Sequence, residues 1–292
     1  MNILKMKKTS IQYHTILWLI IFSLAVLANL FIIVSSQNNL FLATDWLGCF
    51  KPATLQFIAG HNPYANGACF YNAPWLLIPF IPFAFLPDIP SVIVIWITAT
   101  LSIIIVSRKL GANYLTTAIL LLSPALGYEL FVTNLNWLIA VGLILPPQIG
   151  LFLLLAKPQL GIVVALFWLV EAWRKEGIRK VIKIFAPVTI AFLVSFLIYG
   201  FWPLHAAWLG DAHWNVSMFP ESIGIGLLLT YHALKSNNFG FAILASPFFA
   251  PYFGFHSWVF CLLGLASSSV ESLLAVIGLW GFIIFRGGWH QL

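Results

Sequence analysis

Charge is what this chain of 292 residues has least of: Asp, Glu, Lys and Arg together make up 8% of it, against roughly a quarter in an ordinary soluble domain. A soluble globule of this length could not cover its surface with so few. Cysteine is scarce as well, three in the whole chain, which excludes a disulfide-built scaffold. There is no glycine-rich phosphate loop, no Gly-x-Ser-x-Gly elbow, no His-Glu-x-x-His and no Cys-x-x-Cys, so the common soluble-enzyme classes built on those motifs are set aside. The seven histidines are scattered without metal-ligand spacing, and neither a metal nor another cofactor is expected. Apolar residues, by contrast, make up 61% of the chain, with 26 Phe and 13 Trp and a mean hydropathy of +0.98. That excludes disorder, which needs low hydrophobicity and high net charge.

An integral membrane protein is the class that remains. A spanning helix consumes ~20 apolar residues, so the expected fold is all-α: one integral membrane domain over 1–292, a polytopic transmembrane helix bundle of about nine to eleven spans, some short or re-entrant. The formal net charge of +6 does not form the basic stripe that nucleic acid requires. Its residues instead punctuate the apolar runs as Lys5, Lys7, Lys8; Arg108, Lys109; and Arg174, Lys175, Arg179, Lys180, Lys183. By the positive-inside rule these clusters are cytoplasmic. The first apolar run, 13–34, is too long for a signal-peptide core and lacks a cleavage site, so it is expected to stay as a span leading outward from a cytoplasmic N-terminus.

From there the chain alternates sides. An outer loop is expected over 36–72, then a Pro-rich juxtamembrane or re-entrant segment over 73–90, broken too often for a regular span. An inward span over 91–106 ends at Arg108-Lys109, and 116–131 returns outward. Pro146-Pro147 and Lys157-Pro158 divide 137–170 into three short helices, of the kind that often line a cavity. An outward run over 184–202 leads to a second outer loop, 203–221, and an inward span then ends near 235–238. The last third is broken near Ser246-Pro247 and at 267–269. Cys49 and Cys69 share the first outer loop, either as a disulfide or as two half-buried thiols.

An ionisable side chain near the bilayer centre costs at least ~2.5 kcal/mol, so the eight carboxylates are informative. Glu171 and Glu176 flank the densest basic cluster and read as its salt-bridge partners. Asp88, between Pro87 and Pro90, suits a turn, and Glu271 a helix start. Asp45, Glu129, Asp211 and Glu221 remain, all assigned to the outer face. Asp45 has two readings, an N-cap for the next helix or a reactive carboxylate at the lipid-water boundary. His213 and His256, at expected outer helix ends among aromatics, are either packing residues or site residues.

The order of these features matches a known pattern: Asp45 after a first span; Gly60-His61-Asn62-Pro63-Tyr64; Tyr71-Asn72-Ala73-Pro74 opening the Pro-rich segment; Ser123-Pro124; Lys157-Pro158; Asn215-Val216-Ser217; and Ser246-Pro247 followed by His256. Over most of its length the chain resembles the GT-C superfamily of integral membrane glycosyltransferases, and within it the family 87 polyprenyl-phosphate-mannose-dependent mannosyltransferases. It departs from the family at Tyr71-Asn72-Ala73-Pro74, where members usually carry Tyr-x-Pro-Pro, and at Thr133-Asn134-Leu135-Asn136, where they carry Gly-Gln-x-Asn.

The resemblance implies a multi-pass cell-membrane enzyme with its active site on the extracytoplasmic face, transferring a hexose such as mannose from a polyprenyl-phosphate sugar to a lipid or glycan acceptor with inversion. Asp45 would be the general base. Lys157, with Lys51 or His256, would hold the leaving lipid phosphate. His61, Asn62, Tyr64, Tyr71, His213 and Asn215 would contact substrate, and membrane lipids would surround the whole. An aqueous site would leave Asp45 near its ordinary pKa of ~3.9. The alternative is a non-catalytic relative that keeps the fold as a structural or assembly subunit. A transporter comes third, because carriers usually place carboxylates mid-span rather than at one face.

Overall fold

Proline and glycine set most of the helix boundaries in this chain. A computed structural model describes positions 18, 20, 21, 23, 24, 26 and 27, residues 42–65 and residues 69–286. Among these residues the protein is all-α, with no β-strand and one isolated bridge between Asn215 and Gly254. Lys5, Lys7 and Lys8, most of the expected first span and the polar stop that follows it lie outside the described residues.

A π-helical turn, Trp46–Phe50, leads into α1, Lys51–Ile58. Cys49 and Cys69 are joined in a disulfide with their Cα atoms 5.2 Å apart. The Pro-rich segment opens as a 3₁₀ helix, Pro74–Phe80; Pro79 inside it has no N–H to give a longer ladder. Leu76, Leu77 and Phe80 are buried there.

Helix α2, Asp88–Lys109, starts on Asp88 and ends on Arg108 and Lys109, charges of the sign that each helix end favours. Its 22 residues rise about 33 Å, enough for a hydrocarbon core of ~30 Å. One face, with Val92, Ile95, Ala99, Ile103 and Val106, is buried; the opposite stripe of Ile89, Ile93, Ile97, Leu101 and Ile105 is exposed. An apolar stripe turned outward at every fourth residue suits lipid rather than water.

The expected span over 116–131 is two helices, α3 (Tyr114–Leu121) and α4 (Pro124–Val132), bent by 54°. Pro124 lacks the N–H for a continuous ladder, and the Ser123 hydroxyl instead accepts from Leu126 N–H at 3.1 Å. The prolines break the next region where expected, into α5 (Asn136–Val141), α6 (Pro147–Leu154) and α7 (Pro158–Tyr199), but only the first two are short; α7 runs for 42 residues because no proline follows Pro158 until Pro187. Helix α7 is interrupted at Gly177, where φ is 66° and ψ −155°. Lys175 pairs there with Glu171 at 2.7 Å and Lys180 with Glu176 at 2.6 Å.

Four further α-helices follow among the described residues: α8 (Ile223–Ser236), α9 (Phe239–Ala245), α10 (Trp258–Leu262) and α11 (Ser269–Phe285). The inward span expected to end near 235–238 is α8, whose 14 residues rise only about 21 Å. Asn237, at φ 52°, stops it. By length and composition, α2 and α7 are the described helices able to cross a membrane, with α3 and α4 together as a bent third.

The short helices pack backbone to backbone. A Cβ on Gly142 would lie 2.9 Å from Gly150 O, and one on Gly161 would overlap the Leu154 carbonyl. These small-residue seams hold α5, α6 and the start of α7 together, so that the ends of several helices meet at one place.

Candidate functional site

The α4–α5 turn is the base of that meeting place. Thr133 ends α4 in the left-handed region at φ 56°, and its hydroxyl accepts from Trp96 Nε1 of α2 at 2.9 Å. Asn134 and Asn136 follow within an apolar stretch. Both are buried, and a buried amide needs partners to offset its lost hydration. Lys157 supplies them. Pro158 disfavours helical backbone at the residue before it, and Lys157 is accordingly non-helical, at φ −132° and ψ 76°.

Its ammonium donates to Asn136 Oδ1 at 2.5 Å and to Asn134 Oδ1 at 3.2 Å. Asn134 Oδ1 also accepts from Leu135 N–H at 2.8 Å. Because those donors have no acceptor capacity, each amide oxygen must face them, and each NH₂ is turned the other way. Asn134 Nδ2 therefore donates to the Asp45 carboxylate, and Asn136 Nδ2 to Glu129 Oε2 at 2.7 Å. The other Glu129 oxygen accepts from Trp137 N–H at 3.3 Å. The result is a continuous relay, Asp45–Asn134–Lys157–Asn136–Glu129, with one cation between two carboxylates. Among the described residues no carboxylate reaches Lys157 within ion-pair distance.

Asp45 reaches this relay because Ala43, at φ 60°, turns the chain and donates its N–H to Phe131 O of α4 at 2.8 Å. Trp46 Nε1 fastens the same turn to α2 through Ser91 Oγ at 2.8 Å. Asp45 precedes the π-helical turn, yet its side chain makes no capping bond, so the capping reading does not hold. Nor does the expected ordinary pKa. Burial raises the Asp45 carboxyl above the usual carboxylate range, against the lowering effects of the Asn134 hydrogen bond and the Lys157 charge.

Asp45, Asn134 and Lys157 lie at the foot of a cleft of about 970 Å³, at the upper end of the usual volumes of small-molecule sites. Its walls are largely apolar, with Ile162, Phe192, Trp202 and Phe249 among them, while Tyr71, His213 and His256 add polar edges. The His256 ring lies over Gly254, where a Cβ would come within 2.5 Å of Cε1. His256 Nε2 is buried without a hydrogen-bond partner. Chemically, the cleft can accept a proton at Asp45 and hold an anion at Lys157.

The structure thus brings together Asp45, Lys157, Tyr71, His213 and His256 among the expected site residues, and places the others elsewhere. Lys51 is turned away, pairing with Asp88 at 2.7 Å and donating to Leu86 O at 2.8 Å; Asp88 opens α2 rather than lying in a turn. His61 is exposed, its Nδ1 3.1 Å from Gln56 Oε1. Asn62 closes a local turn by accepting from Tyr64 N–H at 2.9 Å. Tyr64 is buried, stacked between rings of Trp202 and His205 at 5.8 Å from each, with its hydroxyl on Asn72 O at 2.7 Å. Asn215 clamps two loops, donating to Gly210 O and Pro251 O and accepting from Ser217 and Phe253 N–H. All of its amide positions are taken by backbone.

Glu129, assigned to the outer face from the sequence, is fully buried. Glu129, Asn134 and Asn136 are the members that sequence reasoning missed. The available signal was a pair of amides following one carboxylate, Glu129, in an otherwise apolar stretch. Among the described residues, no three of His, Cys, Asp and Glu come together as a metal site. Comparison with protein-family models, with curated proteins and with solved structures found no match.

Proposed function

We propose that the chain is a multi-pass membrane glycosyltransferase of the GT-C type, transferring a hexose from a polyprenyl-phosphate-linked donor to a lipid or glycan acceptor at the extracytoplasmic face. The observation that carries this reading is the pairing, at the foot of one cleft, of a carboxylate and an ammonium held apart by the Asn134 amide. The base and the anion holder therefore sit side by side and do not neutralise each other by direct contact.

In this mechanism Asp45 takes the proton of the acceptor hydroxyl as its oxygen attacks the anomeric carbon. The bond from that carbon to the phosphate oxygen breaks, and attack from the opposite side inverts the centre. The leaving lipid phosphate carries the released charge, which Lys157 stabilises. A base raised above the ordinary carboxylate range accepts the proton more readily. The apolar walls suit the lipid part of the donor, and the outward stripe of α2 fits a polytopic bundle in lipid.

The test is Asp45→Asn, assayed as sugar transfer in membranes supplied with polyprenyl-phosphate-mannose. A general base contributes about 10²–10⁴-fold, so turnover falls by that much. Because the base must be ionised, wild-type turnover is lost as pH falls through a value above the usual carboxylate range, not near 3.9. Unchanged turnover in the variant removes the mechanism.

A further inference from the structure

The relay ends on a carboxylate that the mechanism above does not use. Glu129 is 1% exposed and is not among the cleft residues, so it cannot touch a substrate there. Its two oxygens are occupied by Asn136 Nδ2 and Trp137 N–H. A buried carboxylate is costly unless its surroundings repay it, and no cation pairs with Glu129 directly among the described residues. What it contacts is the amide whose other end holds Lys157 at 2.5 Å.

We infer that Glu129 is a positioning residue, orienting the Asn136 amide so that its oxygen aims the Lys157 ammonium at the cleft, where it holds the phosphate of a polyprenyl-phosphate ligand. The phosphate role rests on the transferase reading; the orienting role rests on the geometry alone. An Asn side chain can turn over and present either end. With a carboxylate on one side, only the NH₂ can face it, and the oxygen is then committed to Lys157. Glu129 thus acts at one remove, through one hydrogen bond, on a cation that does reach the ligand. Ser257 Oγ, 3.5 Å from Asn136 Nδ2, is the other group facing that amide, and a hydroxyl can serve as donor or acceptor and so does not enforce the orientation.

The experiment is a double-mutant cycle on the full chain in nanodiscs, reading binding of polyprenyl phosphate through quenching of the cleft tryptophans Trp202 and Trp214. Glu129→Gln can offer its NH₂ to the amide in place of a carboxylate oxygen; it weakens binding by about ten-fold, equivalent to about 1.4 kcal/mol of coupling. Lys157→Gln weakens binding more. The double variant binds no worse than Lys157→Gln alone, because Glu129 acts only through Lys157. A purely structural role would instead multiply the two losses, and that result overturns the proposal, as does unchanged binding in folded Glu129→Gln.

Asn136→Ala is the second variant. It cuts the relay but leaves Glu129 on Trp137 N–H, and it must show the same non-additivity with Lys157→Gln, so whichever variant folds decides the matter. In turnover assays the donor KM rises while the acceptor KM stays. A wild type that shows the coupling but transfers no sugar sinks the transferase reading alone. One that transfers sugar without the coupling sinks the role of Glu129 alone.

Discussion

Gly161→Ala tests whether the packing of α6 against α7 sets the geometry of the site. Gly161 lies one turn after Lys157. A Cβ placed on it would overlap Leu154 O and come within 2.6 Å of the Leu154 carbonyl carbon and 2.7 Å of its Cβ. Two of these are backbone atoms at the end of α6 and cannot swing aside as a side-chain tip can, so the seam must open by about 1 Å to restore ordinary contact distances of ~3.5–4 Å. Overpacking of this kind costs about 1–3 kcal/mol, at times more, and the rigid backbone puts Gly161→Ala at the upper end.

The same shift carries Lys157 away from Asn134, whose bond at 3.2 Å is already long, and displacements near 1 Å can cost about 10²-fold in rate. The control is Gly278→Ala on α11, where a Cβ meets nothing within 4 Å; exchanging a helical glycine for alanine there stabilises by about 0.5–1 kcal/mol. The assay is unfolding of the purified chain in micelles, followed by sugar transfer on the folded fraction. A Gly161→Ala protein as stable as wild type, with full turnover, refutes the claim that this seam positions the lysine.

The disulfide closes a loop of 20 residues, and constraining such a loop in the unfolded chain stabilises by about 3 kcal/mol. The Cys49→Ser, Cys69→Ser double variant is therefore expected to unfold earlier, and the wild type alone to change mobility on reduction; equal mobility and stability would exclude the bridge. The sidedness of the bundle is open to cysteine labelling on a background without native cysteines: a thiol at exposed Thr44 should react with an impermeant reagent from the side opposite one at Lys183, and labelling of both from one side sinks the outward placement of Asp45.

Several breaks in this chain are legible because their causes are local. Pro124, Pro147 and Pro158 stop ladders wherever they occur, and each begins a helix in the structure. The pairing of Glu171 and Glu176 with neighbouring lysines follows from i,i+4 spacing. The bend within 116–131 was not legible because hydropathy reports length and not direction, and the 54° turn at Ser123-Pro124 does not change composition. Lys51 was misassigned for a related reason: its nearest charge, Asp88, is 37 positions away along the chain.

The sequence by itself determined the helical class and pointed to a membrane as the solvent. Eight per cent charge with 61% apolar residues leaves no means of covering a surface in water, and the helical fold follows because buried backbone must bond within its own segment. It also marked Asp45 and His256 as polar exceptions in apolar company, and Lys157-Pro158 as a helix break. Only the tertiary structure decided which exceptions meet. Asp45, Asn134 and Lys157 come from separate segments, 89 and 23 positions apart. They converge because glycine seams let short helices approach closely and because a buried amide has to find partners, and no periodicity along the chain encodes such contacts.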